Sequence, residues 1–128
     1  MAAARELGVT IIAYSPLAQG VLTGGYHDDP DGIRRRPGIR KWQPAFRRRG
    51  LARTRPLIDE LRRVGARHGA TAAQVALNWV TTRHGDLVVA IPGATSERQA
   101  AENAAAMGLR LGPDEAKRID AVSREVAS

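Results

Sequence analysis

The sequence predicts an α/β fold with parallel strands, on three observations. Two short runs, Val9-Thr10-Ile11-Ile12-Ala13-Tyr14 and Leu87-Val88-Val89-Ala90-Ile91, are apolar throughout or nearly so and rich in β-branched residues. Their lack of alternation is the pattern of strands covered on both faces. Each run leads into a turn and then into segments with apolar residues at helical spacing, so the order is helix tail, strand, long loop, helix, helix, strand, helix, helix. That order joins parallel strands by right-handed crossovers.

The elements follow from local chemistry. Ala2 to Leu7 reads as the end of a helix closed by Gly8, so the chain is expected to begin in the middle of a unit. Pro16 and Gly20 end the first strand. Residues 20–53 contain Gly24-Gly25, Asp29-Pro30-Asp31-Gly32 and Pro37-Gly38, and are expected to form one long loop. Pro56 suits a first helical turn, with Leu57, Ile58, Leu61 and Val64 on one face until Gly69. Thr71-Ala72-Ala73-Gln74 is a capping box opening an Ala-rich helix to about His84, and Ser96-Glu97-Arg98-Gln99 opens another to about Met107. Gly112-Pro113 starts a last helix, with Ile119 and Val122 inward. Two strands apolar on both faces need neighbours that these residues do not supply, and the 128 residues alone are expected to fold poorly.

Composition narrows the chemistry. With 128 residues, 43% of them hydrophobic and only 4% aromatic, the chain supports one modest core and not two domains. It has no cysteine, which excludes disulfides, thiolate metal sites and Cys nucleophiles. His27, His68 and His84 lack ligand spacing, so no metal site is assigned. No stretch reaches the ~20 apolar residues needed to span a bilayer, and Met1 to Glu6 has no secretory pattern; a cytoplasmic protein with no membrane partner is expected. The net charge of +7 is concentrated in one place. Residues 33–55 carry nine arginines, one lysine and no acid, which leaves the remainder at −3.

The loops after the two strands carry the functional signal. Tyr14-Ser15-Pro16-Leu17-Ala18-Gln19-Gly20 follows the first strand; Ile91-Pro92-Gly93-Ala94, running on to Gln99, Glu102 and Asn103, follows the second. In parallel α/β proteins, ligands sit at the carboxyl ends of strands, where backbone N–H groups and helix N-termini hold phosphate. Both loops occupy that position and together read as half of a dinucleotide site.

These motifs, with Leu22-Thr23-Gly24 and Gln74-Val75-Ala76-Leu77-Asn78-Trp79 in the same order, resemble the aldo/keto reductase family over nearly the whole chain. The resemblance implies the C-terminal portion of a (β/α)8 TIM barrel, incomplete as it stands. Residues 1–128 would be one segment of a single barrel domain, supplying its seventh and eighth β/α units and extra helices, with the basic loop 20–53 inside it. A full barrel takes ~250 residues. The resemblance further implies binding of NADP(H). Tyr14 would stack on the nicotinamide, and the backbone from Ser15 through Pro16 and Leu17 to Gly20 would follow the pyrophosphate. Gly93, Thr95, Ser96 and Gln99 would surround the adenosine 2′-phosphate, Arg34 would add a cation there, and Glu102 and Asn103 would bind the adenine. Gly25 departs from the family pattern, which commonly has lysine in the stretch that here reads Thr23-Gly24-Gly25-Tyr26. The family's catalytic Asp, Tyr, Lys and His belong to the other half of the barrel, so no catalytic residue is assigned. The expected chemistry is carbonyl reduction by hydride transfer, or alcohol oxidation in reverse, on a small-molecule carbonyl or alcohol in the complete barrel.

A reading from a different class is a truncated or split non-catalytic module, acting through association with the missing N-terminal half or through its Arg-rich loop. The arginine cluster has three readings: a solvated loop, part of a 2′-phosphate site, or a nucleic-acid surface. With only Trp42 and Phe46 for stacking and no recognised module, the solvated loop is favoured and nucleic acid is not. Asp28-Asp29-Pro30-Asp31-Gly32 lacks the later ligands of a calcium loop and reads as a turn.

Overall fold

β1 (Ile11–Tyr14) and β2 (Val88–Ile91) pair in parallel, with Ile11 opposite Val88 and Tyr14 opposite Ile91, in a computed structural model describing residues 1–128. Around them lie α1 (Ala2–Glu6), α2 (Gly25–Asp28), α3 (Arg48–His68), α4 (Ala72–Thr82), α5 (Glu97–Ala105) and α6 (Pro113–Ala127). The parallel pairing and the helical order follow the sequence expectation.

As expected of two strands apolar on both faces, these residues do not supply neighbours for both. Ile11, Ala13, Val88 and Ala90 are partly or fully covered on the side where α4 packs, whereas Ile12, Tyr14, Val89 and Ile91 are all exposed, Tyr14 to 79%. Apolar residues on both faces signal that both pack against something. The helices of this chain cover only one face.

The main core is a three-helix cluster. Leu57, Ile58, Leu61 and Val64 of α3 meet Ala72, Val75 and Ala76 of α4 and Ile119 of α6; Val122 packs at its margin. Polar side chains lock the helices together. Trp79 on α4 donates its indole N–H to Asp120 on α6 at 2.8 Å, and Arg83 stacks over the Trp79 ring at 4.6 Å. Glu115 near the start of α6 meets His68 at the end of α3 at 2.9 Å and accepts from the Gly112 N–H at 3.0 Å.

Helix α3 corrects two expectations. It begins at Arg48 rather than near Pro56, so Pro56 lies in its interior. A proline there removes the hydrogen bond to the carbonyl four residues back. Here that residue is Ala52, and both Ala52 and Pro56 are exposed, so water replaces the missing donor at little cost. The second correction concerns residues 20–53, which are not a structureless loop. Their last residues belong to α3, and the rest winds through α2 and short 3₁₀ turns at Ala18–Thr23, Gly32–Arg35, Ile39–Trp42 and Pro44–Phe46. This strap has its own core of Val21, Tyr26, Ile33, Phe46 and Leu51, with Tyr26 and Phe46 edge to face at 5.2 Å.

The capping box at Thr71 forms as expected. Its hydroxyl accepts from the Gln74 N–H at 3.2 Å, and the Gln74 carboxamide accepts from the Thr71 N–H at 3.0 Å. No helix is long and apolar enough to cross a membrane.

Replacing Thr71 with alanine removes half of that box. Thr71→Ala is expected to lower the unfolding free energy by about 1 kcal/mol, with Thr71→Ser restoring most of it, in urea unfolding followed by far-UV circular dichroism. A loss below a few tenths of a kcal/mol for alanine would contradict this role.

Candidate functional site

A cleft of about 510 Å³ opens at the carboxyl ends of β1 and β2. Its floor is built from the two loops singled out in the sequence, with Ser15, Pro16, Leu17 and Gly20 on one side and Gly93 and Thr95 on the other. Gln99, Glu102 and Asn103 of α5 form a wall. The structure thus brings together nine of the twelve residues expected there.

The other three lie apart from the cleft. Tyr14 projects from the open face of the sheet beside its strand partner Ile91. Ser96 caps α5, its hydroxyl accepting from the Gln99 N–H at 3.3 Å. Arg34 lines a different depression with Trp42 and Phe46, and its nearest carboxylate is Asp31 at 4.0 Å. In its place the cleft receives Arg36, Arg40 and Arg98. Sequence reasoning missed Arg36 and Arg40 because the strap has no periodicity from which facing can be read; Arg98 lies on α5, one residue before Gln99, and was passed over.

Backbone strain gathers at this floor. Ser15, Ala18 and Gln19 are the only non-glycine residues with positive φ, at 49°, 48° and 56°. Such conformations cost about 1–3 kcal/mol each and persist where surrounding structure over-determines them. Here Ala18 N–H donates to the Ser15 carbonyl at 2.8 Å and Gly20 N–H to Leu17 at 2.9 Å, while the Thr23 hydroxyl donates to the Gly20 carbonyl at 2.7 Å.

The α5 wall is fixed from behind by α4. Gln74 donates to the Glu102 carbonyl at 3.0 Å, and the buried Asn78 carboxamide donates to the carbonyls of Ala106 and Leu109 at 3.0 and 3.2 Å. In front, Asn103 donates to the Gly93 carbonyl at 3.4 Å. The expected second half of the Ser96 capping box does not form, because Gln99 turns to Thr95 instead. Its carboxamide oxygen accepts from the Thr95 N–H at 2.7 Å and from the Thr95 hydroxyl at 3.0 Å. The amides of Glu97 and Arg98, in the first turn, have no acceptor within the helix, which suits this end to an anion. A Cβ built on Gly93 meets nothing within 4 Å, so a side chain there would enter the cleft without disturbing the chain.

The opposite wall is the strap, and Arg62 of α3 clamps it. Its guanidinium donates to the Gly24 carbonyl at 3.2 Å and to both oxygens of Asp28. Gly24 has φ +83°, and a Cβ there would lie 2.7 Å from the Arg62 guanidinium, so this clamp requires glycine. The ion pair holds the Asp28 carboxyl below its ordinary range. Asp29 pairs with Arg35, and Asp31 with Arg48 at 3.0 Å, so the aspartate-rich turn is a set of arginine partners.

The profile of the aldo/keto reductase family matches residues 1–124. Aldo-keto reductase str7 of Strobilurus tenacellus is 34% identical over 122 residues, covering 95% of this chain and 35% of that protein. An uncharacterised oxidoreductase of Mycobacterium tuberculosis is 45% identical over 102 residues, covering 79% of this chain and 29% of its own length. The crystal structure of the thermostable aldo-keto reductase Tm1743, solved with the inhibitor epalrestat, superposes with a TM-score of 0.60 at 25% identity, over 93% of this chain and 31% of that one. The chain spans about a third of the length of these proteins.

The strap carries a titratable group at its centre. His27 is buried, its Nε2 lies 2.8 Å from the Thr54 hydroxyl and its Nδ1 has no partner. Burial lowers its pKa, with Arg55 and Arg62 adding to the effect. The unfolded imidazole takes up a proton near pH 6.5, so below that pH the unfolded state binds more protons and folding loses stability. The thermal midpoint, followed by near-UV circular dichroism, is therefore expected to fall between pH 7.5 and 5.5, and to fall less in His27→Gln. The perturbed carboxylates Asp28, Glu60 and Glu115 titrate below this window, and the contribution of His84 is common to both proteins. Equal pH dependence in the two proteins would rule His27 out.

Proposed function

Since this chain belongs to the aldo/keto reductase family, we propose that its cleft is the phosphate- and adenosine-holding part of an NADP(H) site in an oxidoreductase barrel. On this reading β1 and β2 are the seventh and eighth strands. Residues 1–128 are one segment of a single barrel domain, and the open face of the sheet looks into the barrel.

The observation that carries the reading is the juxtaposition itself. A strained turn after β1, a glycine with open space above it after β2, and the N-terminus of α5 meet around one cleft. This suits a dinucleotide: backbone at Ser15 to Gly20 for a diphosphate, and Gly93, Thr95 and Gln99 with the amides of α5, the helix that Ser96 caps, for a 2′-phosphate. Glu102 and Asn103 offer acceptor and donor atoms for adenine. Tyr14, on the open face, offers a flat ring to the nicotinamide. Arg34 points into another depression and is left out of the site.

A bound nicotinamide dinucleotide supplies the hydride that reduces a small carbonyl compound or accepts one from an alcohol. This chain's residues hold and orient the cofactor. The proton is handled by the family's tyrosine-centred set, to which no residue here corresponds.

A second reading is a non-catalytic module that associates with the remaining barrel segments. It is favoured by the exposed apolar face of Ile12, Val89 and Ile91, which is where further strands would pack.

Titration of the 128-residue chain with NADPH and NADH, followed by nicotinamide fluorescence, tests the first reading. Saturable binding with NADPH the tighter ligand is expected, and Gly93→Val is expected to weaken it by about tenfold or more with unchanged circular dichroism. No binding by a folded chain would leave the second reading.

A further inference from the structure

The strap carries a second basic hollow, which shares no lining residue with the cleft. It encloses about 640 Å³, and Arg34, Lys41, Arg47, Arg48 and Arg49 line it together with Trp42. Its only acid, Asp31, is shared by Arg48 at 3.0 Å and Arg34 at 4.0 Å, so Lys41, Arg47 and Arg49 are left without a carboxylate. Ile33 and Phe46, which also line it, are buried members of the strap's core, so a folded wall and not a loose loop holds these cations. The sequence offers Trp42 and Phe46 for stacking, and the structure separates their roles. Phe46 packs on Tyr26 inside the core, whereas Trp42 is 71% exposed, with the Lys41 ammonium 5.8 Å from its ring centroid. That contact between exposed groups is weak, and Lys41 can leave the ring for a phosphate when a base stacks there.

Solvation accounts for cations at a surface but not for an indole left in water, since tryptophan gains much from burial. A ligand that suits this hollow brings several negative charges and a flat ring. A duplex hides its ring faces in the base stack, and an acidic peptide brings charge without a ring. A single-stranded nucleic acid carries both, with one phosphate and one unpaired base per nucleotide. Ile33 also lines a neighbouring hollow, where Arg36 and Arg40 stand, so the basic surface continues past the reach of one base and its phosphates. We propose that this hollow binds single-stranded nucleic acid, with Trp42 as the stacking platform and Lys41, Arg47 and Arg49 as phosphate contacts. The inference stands on the hollow alone and does not draw on the reading of the cleft.

The test is fluorescence anisotropy of a labelled oligothymidylate of about twelve nucleotides, titrated with the full chain at several salt concentrations. Trp42→Ala is expected to weaken binding about tenfold and leave the salt dependence unchanged. Arg47→Gln combined with Arg49→Gln is expected to weaken it by a similar factor and to lower the slope of log affinity on log salt by about 1.4, at roughly 0.7 per lost contact. Arg124→Gln removes a charge from the last turn of α6, outside the hollow, and is expected to change affinity by less than about twofold. All four side chains are exposed, so far-UV circular dichroism stays unchanged. Undiminished binding in Trp42→Ala would overturn the inference, as would equally tight binding of a duplex or an oligoglutamate of the same length. Adenosine triphosphate binding as tightly as the oligomer would make this a site for one nucleotide and overturn the polymer. A folded chain that binds no oligomer overturns the inference outright, while one that binds the oligomer and not NADPH supports it and overturns only the reading of the cleft.

Discussion

The cleft depends first on the buried carboxamide of Asn78. It is only 1% exposed, and it donates to two carbonyls at the end of the α5 segment. The Ala106 carbonyl also accepts from the Leu109 N–H at 3.3 Å, and the Leu109 carbonyl from the Arg110 guanidinium at 3.0 Å, but Asn78 alone ties both to α4. Each such bond contributes about 0.5–1.5 kcal/mol net, and two from one buried side chain leave α5 little freedom to shift against α4. Gln74, one turn earlier on α4, grips α5 from the same side through the Glu102 carbonyl. The α4 residues that look like ordinary helix sequence thus serve as a bracket. They place the first turn of α5, and with it Thr95 and Gln99, over the end of β2.

The facing wall is held by different means. It contains no long helix, and its position rests on the five-residue core around Tyr26 and Phe46 and on the grip of Arg62 at Gly24 and Asp28. One wall is therefore regular and fixed by buried amides; the other is irregular and fixed by charge-assisted bonds near the surface. Their contrast gives the cleft a permanent side and an electrostatically tuned side. The aspartates at 28, 29 and 31 belong to this second system, which explains an acidic cluster within an otherwise basic stretch.

How much of this was legible in the sequence varied with the kind of signal. The strands, the Thr71 capping box and the α3 face from Leu57 to Val64 were readable because each rests on a short-range rule with one outcome. Pro56 was misplaced because two rules compete, one favouring proline in a first turn and the other tolerating it inside a helix whose orphaned carbonyl reaches water. The nine cleft residues were found through loop motifs at strand ends. Arg36 and Arg40 were missed, and Arg34 placed there instead, because a succession of short 3₁₀ turns has no sustained period from which a side chain's direction can be read. That the sheet needs a partner these residues do not supply was legible in its apolar strands, but not which of its two faces α4 would cover. Gln99 shows the same limit at a smaller scale, since a capping pattern does not reveal that Thr95 will compete for the carboxamide.

Pro56 has a broader meaning for how the molecule comes apart. Leu51, one side of it, belongs to the strap's core; Leu57 and Ile58, on the other, belong to the three-helix cluster. The helix that joins the two cores therefore lacks a backbone hydrogen bond near the boundary between them. Proteins open in cooperative units whose borders fall where few bonds cross. The border here lies within a continuous helix, and what ties the strap across it is the grip of Arg62 on Gly24 and Asp28 together with Leu22 on the three-helix cluster.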